Sequence, residues 1–412
     1  MGLSQMKKTG TENIADVRGE IIINNMKLAS LESHLCVHDS HLLVDQVQGK
    51  ASLLFLYRSA CNYHLNIRSI LTGELTHRFD LKPEGMVGWA PRMYKKADNT
   101  IRCVYSKNKT GVFYQDFFLS SATFGVEKPL QAAIKNRLGE YESPRDLTLD
   151  RFLEHTFNVS GIDYRLDQYA PFAERNILLE DTQQLQYVNG KYYLSCEVLA
   201  DKMPNGDTGG IACAIWSKDL DTWHLNNPVR IGTDIDNQRD HEFSLTYLKG
   251  KWHALSRYNK YTAGAPSGYR YYTSEDAENW VCHGLLSSLP EPFGGIRHAI
   301  FVTELRHAAP TGSESNKSQE QVAFMLYQKI PKIHAQYEYD ESSHKLRTKL
   351  GLVYTADFEN WIQVADIEDR ASLHYPSITV YHDRLYMCWS SGFPGTNFVS
   401  SIMWSSYNLG KL

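Results

Sequence analysis

Four side chains of catalytic type stand at matching places in segments that resemble one another. Glu242 and Arg257 are 15 residues apart at the two ends of one such segment, and Arg297 and Tyr375 stand at the start of two later ones. Glutamate is a common general acid or base, tyrosine can act as a nucleophile, and arginine binds anionic groups through two parallel hydrogen bonds. Together these residue types predict cleavage of a substrate that carries an acidic group.

Six segments share one pattern. Each begins with a polar, charged or aromatic residue, continues as an alternating apolar run, turns at Gly, Asp or Asn, and ends in a second apolar run. The clearest copies are DTQQLQYVNGKYYLSCE (181–197), EFSLTYLKGKWHALSR (242–257) and YPSITVYHDRLYMCWSS (375–391). Repeated pairs of short strands favour a β-propeller. We predict an all-β propeller, a single domain over residues 1–412, with six blades; five or seven are the alternatives.

The first residues of the repeats are expected to converge, because the innermost strand of each propeller blade runs along the central channel. The predicted catalytic residues are Glu242, Asp39, Asp181 and Tyr375. The predicted substrate-binding residues are Arg257, Arg297, Arg92, His41, His241 and His298. Charges gathered around a small funnel shift one another's pKa values, as is typical of active sites.

Each of these residues also has a purely structural explanation. An aspartate at a strand start, such as Asp39 or Asp181, often caps a turn. Arg257 and Arg297 could form ion pairs that lock neighbouring blades together. Tyr375 precedes Pro376, which favours an extended backbone and could simply set the entry of a strand.

A second pattern, [ST]-x-D-x-[DE]-[NT]-W, occurs three times after an apolar strand. The copies are SKDLDTW (217–223), SEDAENW (274–280) and TADFENW (355–361). Asp and Ser or Thr side chains accept backbone N–H bonds in tight turns, and the Trp can then pack between blades. We predict three equivalent strand-to-strand turns.

Other segments depart from the repeats. A helical insertion is predicted around 127–157, with one helix over 127–138 and a second from Ser143 to about His155. The low-complexity stretch 308–321 predicts a flexible loop. Within the N-terminal segment 1–29, the apolar run 20–24 is expected to join the last blade and close the ring.

Composition excludes several classes of protein. The net charge is −4 with no basic run, which disfavours nucleic acid as a partner. The 7 cysteines are scattered without a CxxC pair, so we expect buried free thiols and neither zinc nor any other cofactor. The N-terminus has no apolar core of a signal peptide and no stretch approaches the ~20 apolar residues of a membrane span, which predicts an intracellular protein.

The repeat starts resemble those of the five-bladed propeller glycoside hydrolases, the clan of arabinanases, β-xylosidases and invertases. DSHLLV, GWAPRMY, EDTQQLQYVNGKYYL and HEFSLTYLKGKWHAL occupy the places of that clan's blade-opening motifs, in order. The resemblance implies that Asp39 is the base or nucleophile, that Asp181 tunes the pKa and orientation of the acid, and that Glu242 is the general acid.

The later blades are similar to those of the six-bladed sialidase superfamily. Glu242 and Arg257 resemble the Glu/Arg pair of sialidases, Arg297 in GGIRHAI the third arginine, and Tyr375 in YPSITVY the nucleophilic tyrosine. DSHLLV and His64 also resemble the first blade of propeller polysaccharide lyases and rhamnosidases that act on uronate-containing glycans.

Three functions follow from these observations. The first is a glycosidase that cleaves an acidic, uronate- or sialate-like glycan, using either two carboxyl groups or Tyr375 activated by Glu242. The second is a polysaccharide lyase with a His or Tyr base and arginines that neutralise a uronate. The third is a non-catalytic propeller that binds a glycan or a protein.

Overall fold

The computed structural model forms six β-sheets of four or more strands, which are the blades of a propeller. It describes residues 19–22, 38–59, 62–81, 91–107, 111–166, 177–179, 183–200, 209–230, 241–258, 268–290, 297–306, 319–329, 348–368, 372–392 and 399–412. The prediction of an all-β fold with six blades is therefore confirmed.

The chain builds the blades in order and closes the ring with its N-terminal strand. That strand is β1 (Gly19–Ile22). Blade 1 comprises β2 (His38–Val47), β3 (Lys50–Ser59), β4 (Asn62–Ser69) and β5 (Leu75–Leu81). Blade 2 comprises β6 (Arg92–Lys95), β7 (Thr100–Lys107), β8 (Gly111–Phe118), β9 (Thr123–Phe124) and β10 (Lys128–Pro129).

Blade 3 is the largest and contains the helix. It comprises β11 (Gln131–Ala133), β12 (Arg145–Asp146), α1 (Leu149–Ser160), β13 (Ile177–Leu178), β14 (Gln186–Val188), β15 (Lys191–Ala200), β16 (Gly209–Ser217) and β17 (Thr222–Pro228). Its innermost strand is split, because β13 and β14 both pair with β15.

Blades 4 to 6 each follow the simple four-stranded plan. Blade 4 comprises β18 (His241–Leu248), β19 (Lys251–Tyr258), β20 (Gly268–Ser274) and β21 (Val281–Leu285). Blade 5 comprises β22 (Ala299–Arg306), β23 (Gln319–Gln328), β24 (Lys349–Thr355) and β25 (Ile362–Glu368). Blade 6 comprises β26 (Ser372–Tyr381), β27 (Arg384–Gly392) and β28 (Val399–Asn408), with β1 as its outermost strand.

The core is divided among the junctions between neighbouring blades. Six clusters of buried apolar side chains each join two adjacent sheets, including the junction between blades 6 and 1. The middle strands are therefore covered on both faces, and they show continuous apolar runs instead of strict alternation. An example is β3, whose run from Leu53 to Tyr57 is completely buried.

The N-terminal closure is confirmed, and two details of the insertion are corrected. The predicted helix over 127–138 is wrong: this segment forms β10 and β11, and β11 runs parallel to β17 at the outer edge of blade 3. Pairing with distant strands overrides the local helical propensity. Gly139, expected to end that helix, instead has φ 81 in a turn that returns the chain towards β12.

The second predicted helix exists, with later bounds. Thr148 caps α1 by accepting a hydrogen bond from the backbone N–H of Arg151 at 3.2 Å, and Gly161 ends it with φ 77. The predicted loop over 308–321 lies outside the described residues as far as residue 318, while 319–321 begin β23. Of the five cysteines described as free thiols, four are buried and Cys282 is exposed.

The three predicted turns are confirmed and share one hydrogen-bond pattern. In the last copy Thr355 Oγ1 accepts bonds from the N–H groups of Asp357 and Phe358, at 3.2 and 2.9 Å. Asp357 Oδ1 accepts two more N–H bonds at 2.8 and 2.7 Å. Phe358 has φ 61 and is buried in the junction between blades 4 and 5. The turns lie at the end of the ring opposite the starts of the innermost strands.

These turns predict a loss of stability in acid. Burial raises the pKa of Asp357, but bonds from Asn360 and neighbouring N–H groups outweigh it and bring the pKa down to about 2. The pKa values of Asp219 and Asp276 are also lowered. A group whose folded pKa lies below its unfolded value of about 3.9 stabilises the fold above that value. We expect the urea midpoint to fall as the pH drops from about 4 to about 2.

The matched variant for this test is Asp357→Asn, which cannot titrate. It should be less stable than the parent at neutral pH and should lose less additional stability between pH 4 and pH 2. Equal slopes for the two proteins over that range would show that Asp357 does not contribute to the acid sensitivity.

Candidate active site

Glu242 lies on a strained, kinked piece of backbone at the start of β18. The pairing between β18 and β19 shifts register between His241 and Ser244, and Glu242 has φ 51. A β-bulge of this kind re-aims a side chain, and a left-handed non-glycine residue is disfavoured unless its surroundings fix it. The carboxylate is 5% exposed and Oε1 accepts a hydrogen bond from Arg257 Nη1 at 2.8 Å. The predicted Glu242–Arg257 pair is thus formed.

Tyr375 stands in the same situation at the start of β26. The register shifts between His374 and Ser377, and Tyr375 has φ 48. Pro376 lies within this bulge, where its missing N–H breaks no ladder bond. The Tyr375 ring is half-buried, and the guanidinium carbon of Arg297 lies 5.7 Å from its centroid. Two of the sequence-predicted residues, from blades 5 and 6, are therefore neighbours.

Blades 3, 4 and 5 are joined directly behind Glu242. The N–H of Phe243 donates to Glu197 Oε2 at 3.1 Å, and Glu197 is completely buried. Ser244 Oγ lies 2.5 Å from His298 Nε2. Tyr269 packs edge-on against the His298 ring at 4.6 Å, and burial, followed by the charge of Glu242, raises its pKa well above the usual value. A single packed unit therefore connects the strands that carry Glu242 and Arg297.

On the opposite side, His41 and Arg92 lie at the junction of blades 1 and 2. The Met93 N–H donates to His41 Nδ1 at 3.3 Å. His41 is completely buried, and burial and then the charge of Arg92 lower its pKa well below the usual value. Arg92 is 4% exposed and donates to the Pro91 carbonyl. His298 is also fully buried, and burial lowers its pKa to about 3. Both histidines are therefore neutral at ordinary pH.

Glutamines of blade 3 link it to the blades across the ring. Gln183 Oε1 accepts a bond from Ser377 Oγ at 2.7 Å, and that hydroxyl also accepts from the Leu42 N–H at 2.9 Å. Gln184 pairs with both backbone groups of Val302, at 3.0 and 3.2 Å. These bonds bring side chains of blade 3 into contact with blades 5 and 6.

Three predicted residues cannot be placed completely. Asp181 lies outside the described residues, as do the side chains of Asp39 and His241. The backbone of Asp39 is described: it lies where the pairing of β2 with β3 shifts register between His38 and His41. Asp39 therefore occupies in β2 the position that Glu242 occupies in β18.

Two further residues were missed at the sequence level. Glu197 is the last residue of the repeat 181–197, as Arg257 is of the repeat 242–257, and it lies on the second strand of blade 3, β15. Arg58 ends the second strand of the first repeat and pairs with His38, as Arg257 pairs with His241. Comparing the last residues of the repeats, as well as the first, would have found both.

Neither a metal centre nor a membrane helix is found in the described part of the chain. No group of three or more His, Cys, Asp or Glu side chains there could hold a metal ion. None of its helices is both long and apolar enough to cross a bilayer.

The solved structures that match this fold include sialidases and an arabinofuranosidase. A Trypanosoma rangeli sialidase mutant displaying trans-sialidase activity matches with a TM-score of 0.53 and 13% identity, over 91% of this chain and 55% of that one. T. rangeli sialidase in complex with sialic acid matches with a TM-score of 0.52 and 12% identity, over 99% of this chain and 59% of that one. The chain thus spans less than two thirds of the length of these sialidases.

The GH93 α-L-arabinofuranosidase of Fusarium graminearum, in complex with arabinobiose, matches along nearly its whole length. The TM-score is 0.54 at 12% identity, over 91% of this chain and 94% of that one. No protein-family model matches the sequence, and no curated protein does.

The fold and these comparisons define the architecture: a six-bladed β-propeller, as in these sialidases and this arabinofuranosidase. At 11–13% identity the comparisons show the fold alone.

Proposed function

We propose that the protein is a glycoside hydrolase that cleaves a glycosidic bond of an acidic glycan at the channel mouth. The observation that carries this proposal is the buried Glu242–Arg257 pair, held on a left-handed bulge in the ring that also brings Arg297 against Tyr375. Strained backbone and buried charge at one end of a ring are costly for the fold and are typical of functional sites. The solved neighbours that bind sialic acid and arabinobiose support a carbohydrate substrate.

The arginines favour a substrate with a carboxylate. Arg92, Arg257 and Arg297 are all at least nine-tenths buried near the starts of the innermost strands. A guanidinium group binds a carboxylate through two parallel bonds, which fixes the orientation of a uronate or sialate as well as its charge. An acidic sugar seated there would present its anomeric carbon to the groups around Glu242 and Tyr375.

The chemistry we propose uses Tyr375 as the nucleophile. Its phenolic proton passes to Glu242 as the phenolic oxygen bonds to the anomeric carbon, and the glycosidic C–O bond breaks. Arg297, beside the Tyr375 ring, brings a positive charge to this side of the site. The departing oxygen takes a proton from a second acid, for which Asp39 and Asp181 are the sequence candidates. Water then attacks the anomeric carbon and gives a proton to the second acid, which is now a carboxylate. The glycosyl–tyrosine bond breaks, and the phenolate takes back the proton that Glu242 holds.

The test is an activity screen of the purified protein on uronate-containing, sialate-containing and neutral glycans, with reducing ends and ultraviolet absorbance followed together. We expect new reducing ends from acidic glycans only, without absorbance from an unsaturated product. Absorbance that rises with the reducing ends would identify a lyase and contradict hydrolysis. Cleavage of neutral glycans alone would contradict the acidic substrate, and no turnover on a broad panel would favour a binding propeller.

A further inference from the structure

The backbone of Glu242 needs support from outside its own strand. A glutamate with φ 51 is in a disfavoured left-handed conformation, and the register shift in β18 interrupts the regular ladder pairing around it. Such a conformation persists only where neighbouring groups hold it. The two residues after Glu242, Phe243 and Ser244, are the places where that support is attached.

Blade 3 provides the first attachment. Glu197 Oε2 accepts the Phe243 N–H at 3.1 Å, and Glu197 has no exposed surface. A carboxylate makes a stronger bond to a backbone N–H than a neutral acceptor does. It therefore satisfies the donor that the bulge takes out of the strand ladder, and fixes the peptide plane directly after Glu242.

Blade 5 provides the second attachment. The Ser244 hydroxyl lies 3.4 Å from the Leu255 carbonyl oxygen and 2.5 Å from His298 Nε2. The shorter contact is a hydrogen bond in either tautomer of the neutral ring, because a hydroxyl group can both donate and accept. Because burial keeps this ring neutral, with a pKa of about 3, the bond persists at every pH at which a glycosidase would work. His298 also directly follows Arg297, so the bond sets the distance between the strands of Glu242 and Arg297.

We propose that Glu197 and His298 are positioning residues that clamp the Glu242 bulge from both neighbouring blades and so hold its carboxylate in the catalytic orientation. The inference rests on the proposed function for its kinetic consequence, and on the structure alone for the clamp itself. Removing either attachment lets the bulge relax towards a regular strand, which turns the carboxylate away from Arg257.

The experiment compares Glu197→Ala, Glu197→Gln and His298→Phe with the control Gln186→Met. Gln186 Oε1 accepts the Tyr247 N–H at 3.3 Å, so it joins the same blade 3 to the same strand β18, but at the opposite end. A displacement of about 1 Å can lower a rate by about 100-fold. We expect kcat to fall between about 10- and 100-fold for Glu197→Ala and His298→Phe, with KM within about threefold. Glu197→Gln, which keeps an acceptor oxygen, should stay within about threefold of the parent, and Gln186→Met should leave kcat unchanged.

The other outcomes distinguish a failure of the clamp from a failure of the proposed function. If Glu197→Gln is as inactive as Glu197→Ala, Glu197 transfers protons itself and its positioning role is overturned. If Glu197→Ala keeps full kcat, there is no clamp. Should the parent have no activity on any glycan, a crystal structure of Glu197→Ala still decides: φ at residue 242 should leave the left-handed region, and a value that stays near 51 contradicts the clamp.

Discussion

Replacing Glu242 with Gln is expected to lower kcat by about 10²- to 10⁴-fold while KM changes little, because the amide keeps the shape of the side chain but cannot accept or donate the catalytic proton. The bond from Arg257 at 2.8 Å can still be made to the amide oxygen. Steady-state kinetics on the acidic glycan found in the activity screen would measure the effect. A variant that keeps more than about a tenth of the parent kcat would remove Glu242 from proton transfer.

The loss of a buried charge needs its own control, because the change also removes the negative charge that pairs with Arg257. Asp366→Asn is well matched. Asp366 lies on β25, the outermost strand of blade 5, and pairs with Lys329 Nζ at 2.8 Å and with Lys349 Nζ at 2.9 Å. Asp366 and Lys329, which directly follows β23, are both 5% exposed or less. We expect this variant to lose stability and to keep kcat at a temperature well below unfolding. If both variants lose activity equally, the effect of Glu242→Gln comes from the fold and not from chemistry.

The architecture could be predicted because a short local sequence pattern encodes each blade and recurs along the chain. Each repeat contains its two strands, its turn and its polar first residue, and the Asp-containing turns at 217–223, 274–280 and 355–361 fix where three of the outer strands begin. Because all blades run in the same direction along the axis, one register places every repeat start at one end of the ring. Two contacts, Arg297 with Tyr375 and Glu242 with Arg257, are then sufficient to identify which end of the ring is the mouth of the channel.

What could not be predicted depends on contacts between distant segments. The helical propensity of 127–138 gives way to pairing with β8 and β17. The bulges at Glu242 and Tyr375 have no local signature, since neither residue is a glycine, and only the pairing with the next strand reveals the shifted register. Glu197 is attached to the site through a backbone N–H of another blade, a contact that no spacing in the sequence encodes.

The largest stability effect is expected far from the mouth, at Arg102 of β7. Its guanidinium group makes two bonds to Asp116 at 2.7 and 2.9 Å within blade 2. It also reaches blade 3, where it donates to the Leu220 carbonyl at 2.5 Å and to Asp221 at 2.8 Å. Its carbon lies 3.8 Å above the Tyr114 ring, and the side chain is only 1% exposed. One buried cation thus fastens the first of the three Asp turns to the neighbouring blade.

Arg102→Ala should therefore lower the free energy of unfolding by about 3–5 kcal/mol, because it removes the donor that two carboxylates and a carbonyl group share. The control is Lys249→Ala. Lys249 Nζ pairs with Glu320 at 2.9 Å between blades 4 and 5, but both side chains are more than two-fifths exposed, and such pairs contribute about 0–1 kcal/mol. Urea unfolding of both variants measures the difference. Since Arg102 lies at the end of the ring opposite Glu242, its variant should keep kcat while it remains folded. Equal losses for the two variants would mean that the apolar junctions alone hold the blades together.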